Sequence, residues 1–587
     1  MDPRLTGQSG PFPIRSVLIA WLLICAVLIA TALPRILAGQ LPDPDDALRL
    51  VQLREWFAGQ GWFDMVQHRI DPPHGTPMHW SRLVDIPLIV VASVAGEAAA
   101  LVIVPLLTLG ALVWAVGRLA HRVLGPECVL YACLICGFLP PLVAQVQPMR
   151  IDHHGWQAVC AALALLALTG RSAGRSGAFA GSAMAAGLTI SLELLPLSAA
   201  FAAVMAARWW RDPRHSAWLV AYLQSLALSL VALFLLMRGI GAAAPWCDAI
   251  SPPQLAFFAM AACAATLAGH SRLGRLRAAA VLGLGGAAGL AVIWLWAPQC
   301  LAPPFAGLDP LLREYWYVHI SEGQPLWHQT WDRVLATLLP LLAGLAACAL
   351  LWRQSLPVQR ALWAEHGVLL LAALVLGLAV TRSMAFAAVF AAVPLGWLLA
   401  RLLGALRQPQ PGRKFAAGAA IVMLLLPAAP MMLAARASPA EHQRAVPVKL
   451  ATAACDVRAR AASLNALPQG VVFAPLDLGP SILLETPHSV IATSHHRAEA
   501  AMADVIAAFI APPQQAQPII ARHGASVVAL CTDLAEARHY AQRHPGGLAA
   551  HLTAGKHPDW LEPVAALTTT QFKVFRVRPG ESAAPPR

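Results

Sequence analysis

Charge is scarce in this sequence. Only 12% of its 587 residues are Asp, Glu, Lys or Arg, about half the roughly 25% of an average soluble protein. With 58% hydrophobic residues and a mean hydropathy of +0.61, the surplus apolar surface exceeds what one core can absorb, because cores stop growing near ~250–300 residues. A soluble enzyme, a disordered chain and a disulfide scaffold are excluded. The chain also lacks paired CxxC motifs, so a structural zinc site has no support. It lacks an internal repeat, and no small-residue cleavage site follows its first apolar stretch, which therefore reads as an uncleaved anchor. Forty-seven prolines and 41 glycines exclude a simple coiled coil. What is left is a polytopic α-helical membrane protein.

A span needs about 20 apolar residues, fewer when re-entrant. Thirteen segments qualify: Ser16–Leu33, Ala98–Val116, Val129–Val146, Trp156–Thr169, Gly177–Ser191, Pro196–Ala207, Trp218–Met237, Leu255–Ala268, Ala278–Trp296, Val334–Trp352, Val368–Thr381, Met384–Ala400 and Phe415–Ala435. With the N-terminus inside, the inner side collects Arg4, Arg15 and the arginine clusters at 118–122, 171–175, 208–214, 272–277, 353–360 and 401–413, with Lys414. Only Asp2, Glu127, Asp212 and Glu365 oppose them. That is the positive-inside pattern, and it holds only if the Glu193 region is a turn between two spans. The net charge of +12 is thus topological, and a nucleic-acid partner is not expected.

The same orientation puts residues 34–97, 297–333 and everything after about 436 outside. The expected division is a membrane domain, 1–435, and an outer α/β domain, 436–587. In the latter Val471–Ala474, Val490–Thr493, Ser526–Cys531 and Phe572–Val577 read as strands, with helices at Ala498–Ile510 and Gln517–His523. Of eleven cysteines, Cys247, Cys300, Cys455 and Cys531 fall outside, where an oxidising compartment permits pairing. The Ala- and Arg-rich composition hints at a bacterial inner membrane, with the C-terminal domain periplasmic.

Four outer clusters carry possible chemistry. Leu41-Pro-Asp-Pro-Asp-Asp-Ala-Leu-Arg49 sets Asp43, Asp45 and Asp46 close enough to repel unless a cation intervenes. The same residues equally suit a solvated helix cap. Arg150-Ile-Asp-His-His-Gly-Trp-Gln157 offers Asp152, His153 and His154 in a short loop; an N-capping aspartate with interfacial histidines is the plain alternative. Tyr315-Trp-Tyr-Val-His-Ile-Ser-Glu-Gly-Gln-Pro325 holds Glu322 in a turn. Thr381-Arg-Ser-Met-Ala-Phe386 holds Arg382 at a span boundary, where it either snorkels or forks onto phosphate. Glu193 is a further intramembrane acid; capping a broken helix is its plain role.

Together these residues resemble the catalytic subunit of oligosaccharyltransferase, among the GT-C membrane glycosyltransferases. His319-Ile-Ser-Glu-Gly-Gln-Pro325 is similar to the family's S-V-S-E-x-Q-P segment, and Asp152-His-His154 to the archaeal D-H-H form of its second acidic motif. Asp45, with Arg54 nine residues on, resembles the first-loop aspartate, Asp46 and Asp43 being alternative registers. Arg382 resembles the arginine that contacts the donor pyrophosphate. The acceptor-reading W-W-D-Y-G is reduced here to Pro475-Leu-Asp-Leu-Gly479, which keeps Asp477 but loses both tryptophans and the tyrosine.

The resemblance implies an inverting transfer from a polyprenyl-linked sugar to an acceptor it does not identify. Mg²⁺ or Mn²⁺ would be held by Asp45, Asp152 and His154, and Arg382 would bind the donor phosphate. Asp45 and Glu322, with Asp46 as the alternative, would orient the acceptor. His79, Trp80, His153, Glu193 and Asp477 are expected around the substrate. A lipid-linked-sugar flippase would instead line several spans with charge, and an assembly factor would leave the outer clusters scattered.

Overall fold

The computed structural model describes residues 10–270, 273–303, 305–426, 429, 432 and 455–578. Asp2, Arg4, Arg272, the end of the expected span Phe415–Ala435 and both ends of the expected outer domain lie outside them. Helices α1 to α17 run in chain order as Ile14–Leu37, Pro44–Phe57, Asp85–Ala95, Glu97–Val123, Pro126–Ile135, Pro140–Val146, His154–Ala167, Ala173–Ile190, Leu195–Arg211, Ser216–Arg238, Pro252–His270, Arg275–Trp296, Pro310–Tyr315, Trp331–Gln354, Pro357–Ala379, Met384–Leu406 and Pro411–Leu425. They divide between two compact units. The first draws on residues 1–39, 80–304 and 321–443, the second on 40–79, 305–320 and 444–587. Helices α2 and α13 belong to the second.

In the first unit, nine helices among the described residues are long and apolar enough to cross a membrane: α1, α4, α9 with the turn before it, α10, α11, α12, α14, α15 and α16. The bent pair α5–α6, angled by 74°, would make a tenth. The other expected spans fall on the short α7, on α8 and on α17. Helix α16 is the central post: every residue from Met384 to Gly396 is buried, against neighbours that include α5, α14 and α15. Small residues let the helices approach, since lipid offers no hydrophobic drive for them to associate. A Cβ at Gly181 of α8 would lie 2.2 Å from the Tyr222 carbonyl oxygen of α10, and one at Gly396 would lie 2.5 Å from Ala132 of α5. The chain does break at Glu193: Ser191 is extended and a single 3-10 turn, Leu192–Leu194, separates α8 from α9.

Two arginines brace the end of α7. Arg208 Nε donates to both carboxylate oxygens of Glu365 at 3.0 Å, and its Nη2 reaches the Leu168 carbonyl just past the end of α7. Arg122 Nη1 donates to the Leu166 carbonyl nearby. Two guanidinium groups thereby satisfy carbonyls that a helix end leaves orphaned. Cys247 and Cys300 form a disulfide within this unit.

The second unit is built on a five-stranded sheet in the order β4-β3-β5-β7-β6, with β3 Val471–Phe473, β4 Ser489–Val490, β5 Val527–Cys531, β6 Leu561–Pro563 and β7 Phe572–Val577. The β4-β3-β5 half is parallel and the rest antiparallel. The first-loop segment is woven into it. Ile70 bridges to Val490 in parallel, and Arg69 donates to the carbonyls of Leu483, Thr486 and His488. Its own short hairpin pairs β1 Val66–Gln67 with β2 Thr76–Pro77. A second disulfide joins Cys455 to Cys531.

Candidate active site

The loop from α6 to α7 turns sharply at Met149, whose φ of +73° is left-handed; its amide is tied to the Leu101 carbonyl at 2.8 Å. This sets Asp152 and His153 just before α7 and His154 at its first residue, all three buried. Gly155 explains why the next position carries no side chain. A Cβ there would sit 2.7 Å from the Gln145 carbonyl oxygen of α6, closer than carbon and oxygen tolerate.

Around Asp152 the charges alternate in sign. Its Oδ1 lies 2.5 Å from His153 Nδ1, while its Oδ2 lies 3.4 Å from both His154 Nε2 and Arg150 Nη2. Arg150 Nη2 also lies 3.7 Å from Glu322 Oε2. Glu322 Oε1 accepts from Arg382 Nη1 at 3.4 Å, and Arg382 Nη2 donates to Glu193 Oε1. Glu193 Oε2 closes the arc 3.9 Å from His154 Nδ1. Gln157, one turn along α7, accepts through Oε1 from His154 Nδ1 (3.1 Å) and donates through Nε2 to the Ser191 carbonyl, linking α7 to the break before α9. The segment carrying Glu322 is stapled beside Arg382 by backbone: Arg382 N–H donates to the Glu322 carbonyl, and Thr381 to the Gln324 carbonyl through both N–H and Oγ1. Burial alone would push the Asp152 carboxyl up. The adjacent imidazoles of His153 and His154 and the Arg150 guanidinium outweigh it and hold the group well below the usual carboxylate range.

The donor set suits a divalent cation. Ligand atoms of Asp152, His153 and His154 all lie within 4.8 Å of one another, and ligands sharing one ion at 2.0–2.2 Å stand about 3 Å apart. A carboxylate among imidazoles accepts Zn²⁺ or Mn²⁺ more readily than Mg²⁺.

Six of the residues singled out from sequence therefore meet in the first unit: Asp152, His153, His154, Glu193, Glu322 and Arg382. Trp80 is in the same unit and fully buried. Asp45, Asp46, His79 and Asp477 belong to the second. There Asp43 is the N-cap of α2, its Oδ1 accepting the Asp45 N–H at 2.9 Å. Asp46 is wholly buried, whereas Asp45 is half-buried, so of the two only Asp45 keeps a face toward solvent. His79 packs on His495 and His496, with ring centroids 5.4 and 4.7 Å away. Asp477 is exposed beyond the end of β3. Ser494 donates to its Oδ1, and the Leu476 and Asp477 amides are held by the two oxygens of Glu536.

Arg150 and Gln157 were missed as site residues by the reading of the sequence. Their signal was present: one lies two residues before Asp152, the other three after His154, a single helical turn on.

No family model matches the chain, and no curated protein does. Solved structures do. The chain is similar to the archaeal oligosaccharyltransferase AglB from Archaeoglobus fulgidus in complex with an inhibitory peptide and a dolichol-phosphate. The TM-score is 0.60 at 14% identity, covering 98% of this chain and 75% of that one. It is similar to the Archaeoglobus fulgidus oligosaccharyltransferase tethered to an acceptor peptide containing the NVT sequon (TM-score 0.59, 14%, 97% and 74%). It is also similar to that oligosaccharyltransferase in complex with zinc and sulfate (TM-score 0.51, 14%, 88% and 66%). At such identity the likeness is one of fold.

Proposed function

We propose that this chain, which shares the fold of an archaeal oligosaccharyltransferase, is a GT-C membrane glycosyltransferase. It moves a sugar or oligosaccharide from a polyprenyl-phosphate or polyprenyl-pyrophosphate donor to an acceptor at the outer, periplasmic face of a bacterial inner membrane. The observation that supports this best is the closed arc Asp152–Arg150–Glu322–Arg382–Glu193–His154 in the first unit. It sets a forked guanidinium and a metal-type donor set around one point, beside carboxylates available to an acceptor. The dolichol-phosphate and acceptor peptide held by the archaeal enzyme favour a lipid-linked donor and a separate acceptor.

In this reading Arg382 leaves its carboxylate partners for the donor phosphate, which it grips by paired hydrogen bonds. Arg150 lies between Asp152 and Glu322 and screens the two carboxylates from each other. Glu322 accepts a hydrogen bond from the acceptor nucleophile and aims it at the anomeric carbon from the face opposite the leaving phosphate, so the centre inverts. Glu193, His153, His79, Trp80 and Asp477 serve substrate binding. Asp152 and His154 would hold the divalent cation, Mg²⁺ or Mn²⁺; Asp45 enters only as the resemblance implies it, as third ligand and as partner to Glu322. When bound, the cation supplies charge neutralisation at the leaving phosphate.

The test is cleavage of a radiolabelled polyprenyl-linked sugar by the purified protein in detergent, with and without chelator, beside Asp45→Ala, Asp152→Asn and Glu322→Gln. Turnover that requires Mn²⁺ or Mg²⁺ and disappears in Asp152→Asn supports the assignment. Equal turnover in all four proteins, or none with any lipid donor together with no calorimetric metal binding, overturns it and favours an assembly role.

A further inference from the structure

The second unit hides its large apolar side chains almost completely. Among its described residues only Phe57, Phe63 and Val318 stand exposed, at 50%, 55% and 50%. Two of the three sit on one small projection, Glu55-Trp-Phe-Ala-Gly-Gln-Gly-Trp-Phe-Asp64, where a Trp-Phe pair repeats six residues on.

Helix α2 explains how the projection is built. From Asp46 to Leu53 every residue is buried, so the middle of the helix is covered on every side and its last turn emerges beyond that stretch. Ala58 caps it, Gly59 turns the chain at a φ of +108°, and Trp62 returns to lie edge-on to Trp56 with centroids 6.5 Å apart; Phe57 is edge-on to Trp56 at 5.0 Å. Nothing lies within 4 Å of a Cβ built at Gly59, so the tip is open.

The polar side chains at its base turn inward. Arg54 donates to the Leu484 carbonyl, Glu55 accepts from Arg69 Nε and Gln67 Nε2, and Gln60 donates to the Val66 carbonyl. A collar of satisfied polar groups below two exposed Phe rings and two half-buried Trp rings matches what the bilayer interface selects. Amphipathic aromatic rings favour the head-group layer over either water or hydrocarbon.

Only six residues, 38–43, separate α2 from α1, an apolar helix of spanning length whose final Leu37 is 78% exposed. Fully extended, that tether reaches about 22 Å. A lipid surface offered on such a leash has a high effective concentration.

We propose that the aromatic turn Trp56–Phe63 is a membrane-interface anchor, seated in the phospholipid head-group layer of the bilayer that the chain spans. This holds whatever reaction the first unit performs.

Full-length protein carrying fluorotryptophan, in nanodiscs of phosphatidylethanolamine and phosphatidylglycerol, tests it by fluorine NMR. The Trp56 and Trp62 resonances are assigned with Trp56→Phe and Trp62→Phe. Both are expected to broaden with a nitroxide lipid labelled near its head group and to be spared by a water-borne gadolinium chelate. Preferential broadening by the chelate would overturn the proposal, showing a turn in water. Broadening by neither would overturn it too, showing a turn covered by protein.

Discussion

Gly155→Ala isolates the position of α7's N-terminus from the chemistry of its side chains. The added methyl would meet the Gln145 carbonyl oxygen at 2.7 Å, where ordinary contact begins at 3.4 Å. The shortfall, about 0.7 Å, must be taken up by backbone on one side or the other. Because His154 precedes Gly155 directly, the imidazole and the Asp152 carboxylate move with it. Misplacing catalytic groups by about 1 Å can cost ~10²-fold, so we expect turnover of a lipid-linked sugar to fall about 10- to 100-fold, or roughly 1.4–2.7 kcal/mol of barrier. Overpacking costs ~1–3 kcal/mol of stability, offset by about 1 kcal/mol of helix propensity gained on replacing glycine. The melting temperature in detergent should therefore change little while activity collapses. Rate assays and melts on the same preparation separate the two. A variant with wild-type turnover and melting would show that this close approach does not set the site.

Arg382→Lys keeps the charge but loses the fork that spans Glu193 and Glu322; turnover should fall ~10²-fold or more, and tighter donor binding by the variant would contradict the phosphate role. Making Cys455→Ser opens a loop of sequence separation 76 and should cost about 2–5 kcal/mol, seen without reductant as a melting temperature below that of the wild type. Burial and the nearby Asp477 push the Glu536 carboxyl up to about 8. A folded state that binds the proton more tightly than the unfolded one loses relative stability as pH rises from the unfolded value near 4.5 toward 8. The melting temperature should fall across that window, and Glu536→Gln should flatten the slope.

Some of this protein was legible without coordinates. Hydropathy and the sign of flanking charge located the apolar helices, because lipid tolerates only segments that satisfy their own backbone; α1, α10, α12 and α14 appear within a few residues of where they were expected. The strand Phe572–Val577 was readable from its β-type run. Asp152, His154, Glu322 and Arg382 stood out because acids and imidazoles are scarce in so apolar a chain.

Tertiary structure alone decided three further things. It decided that Glu322 and Arg382, 60 residues apart, are backbone neighbours, which no local pattern encodes. It gave Arg150 its task between Asp152 and Glu322, a role that depends on two carboxylates arriving from different loops. It also assigned the first-loop segment to the sheet-bearing unit, through hydrogen bonds from Arg69 to carbonyls more than 400 positions away. Periodicity and composition are local quantities, set by what each segment must bury or expose. Pairings across long stretches of chain are fixed by which of many compatible surfaces pack and hydrogen-bond together, and that selection exists only in the folded chain.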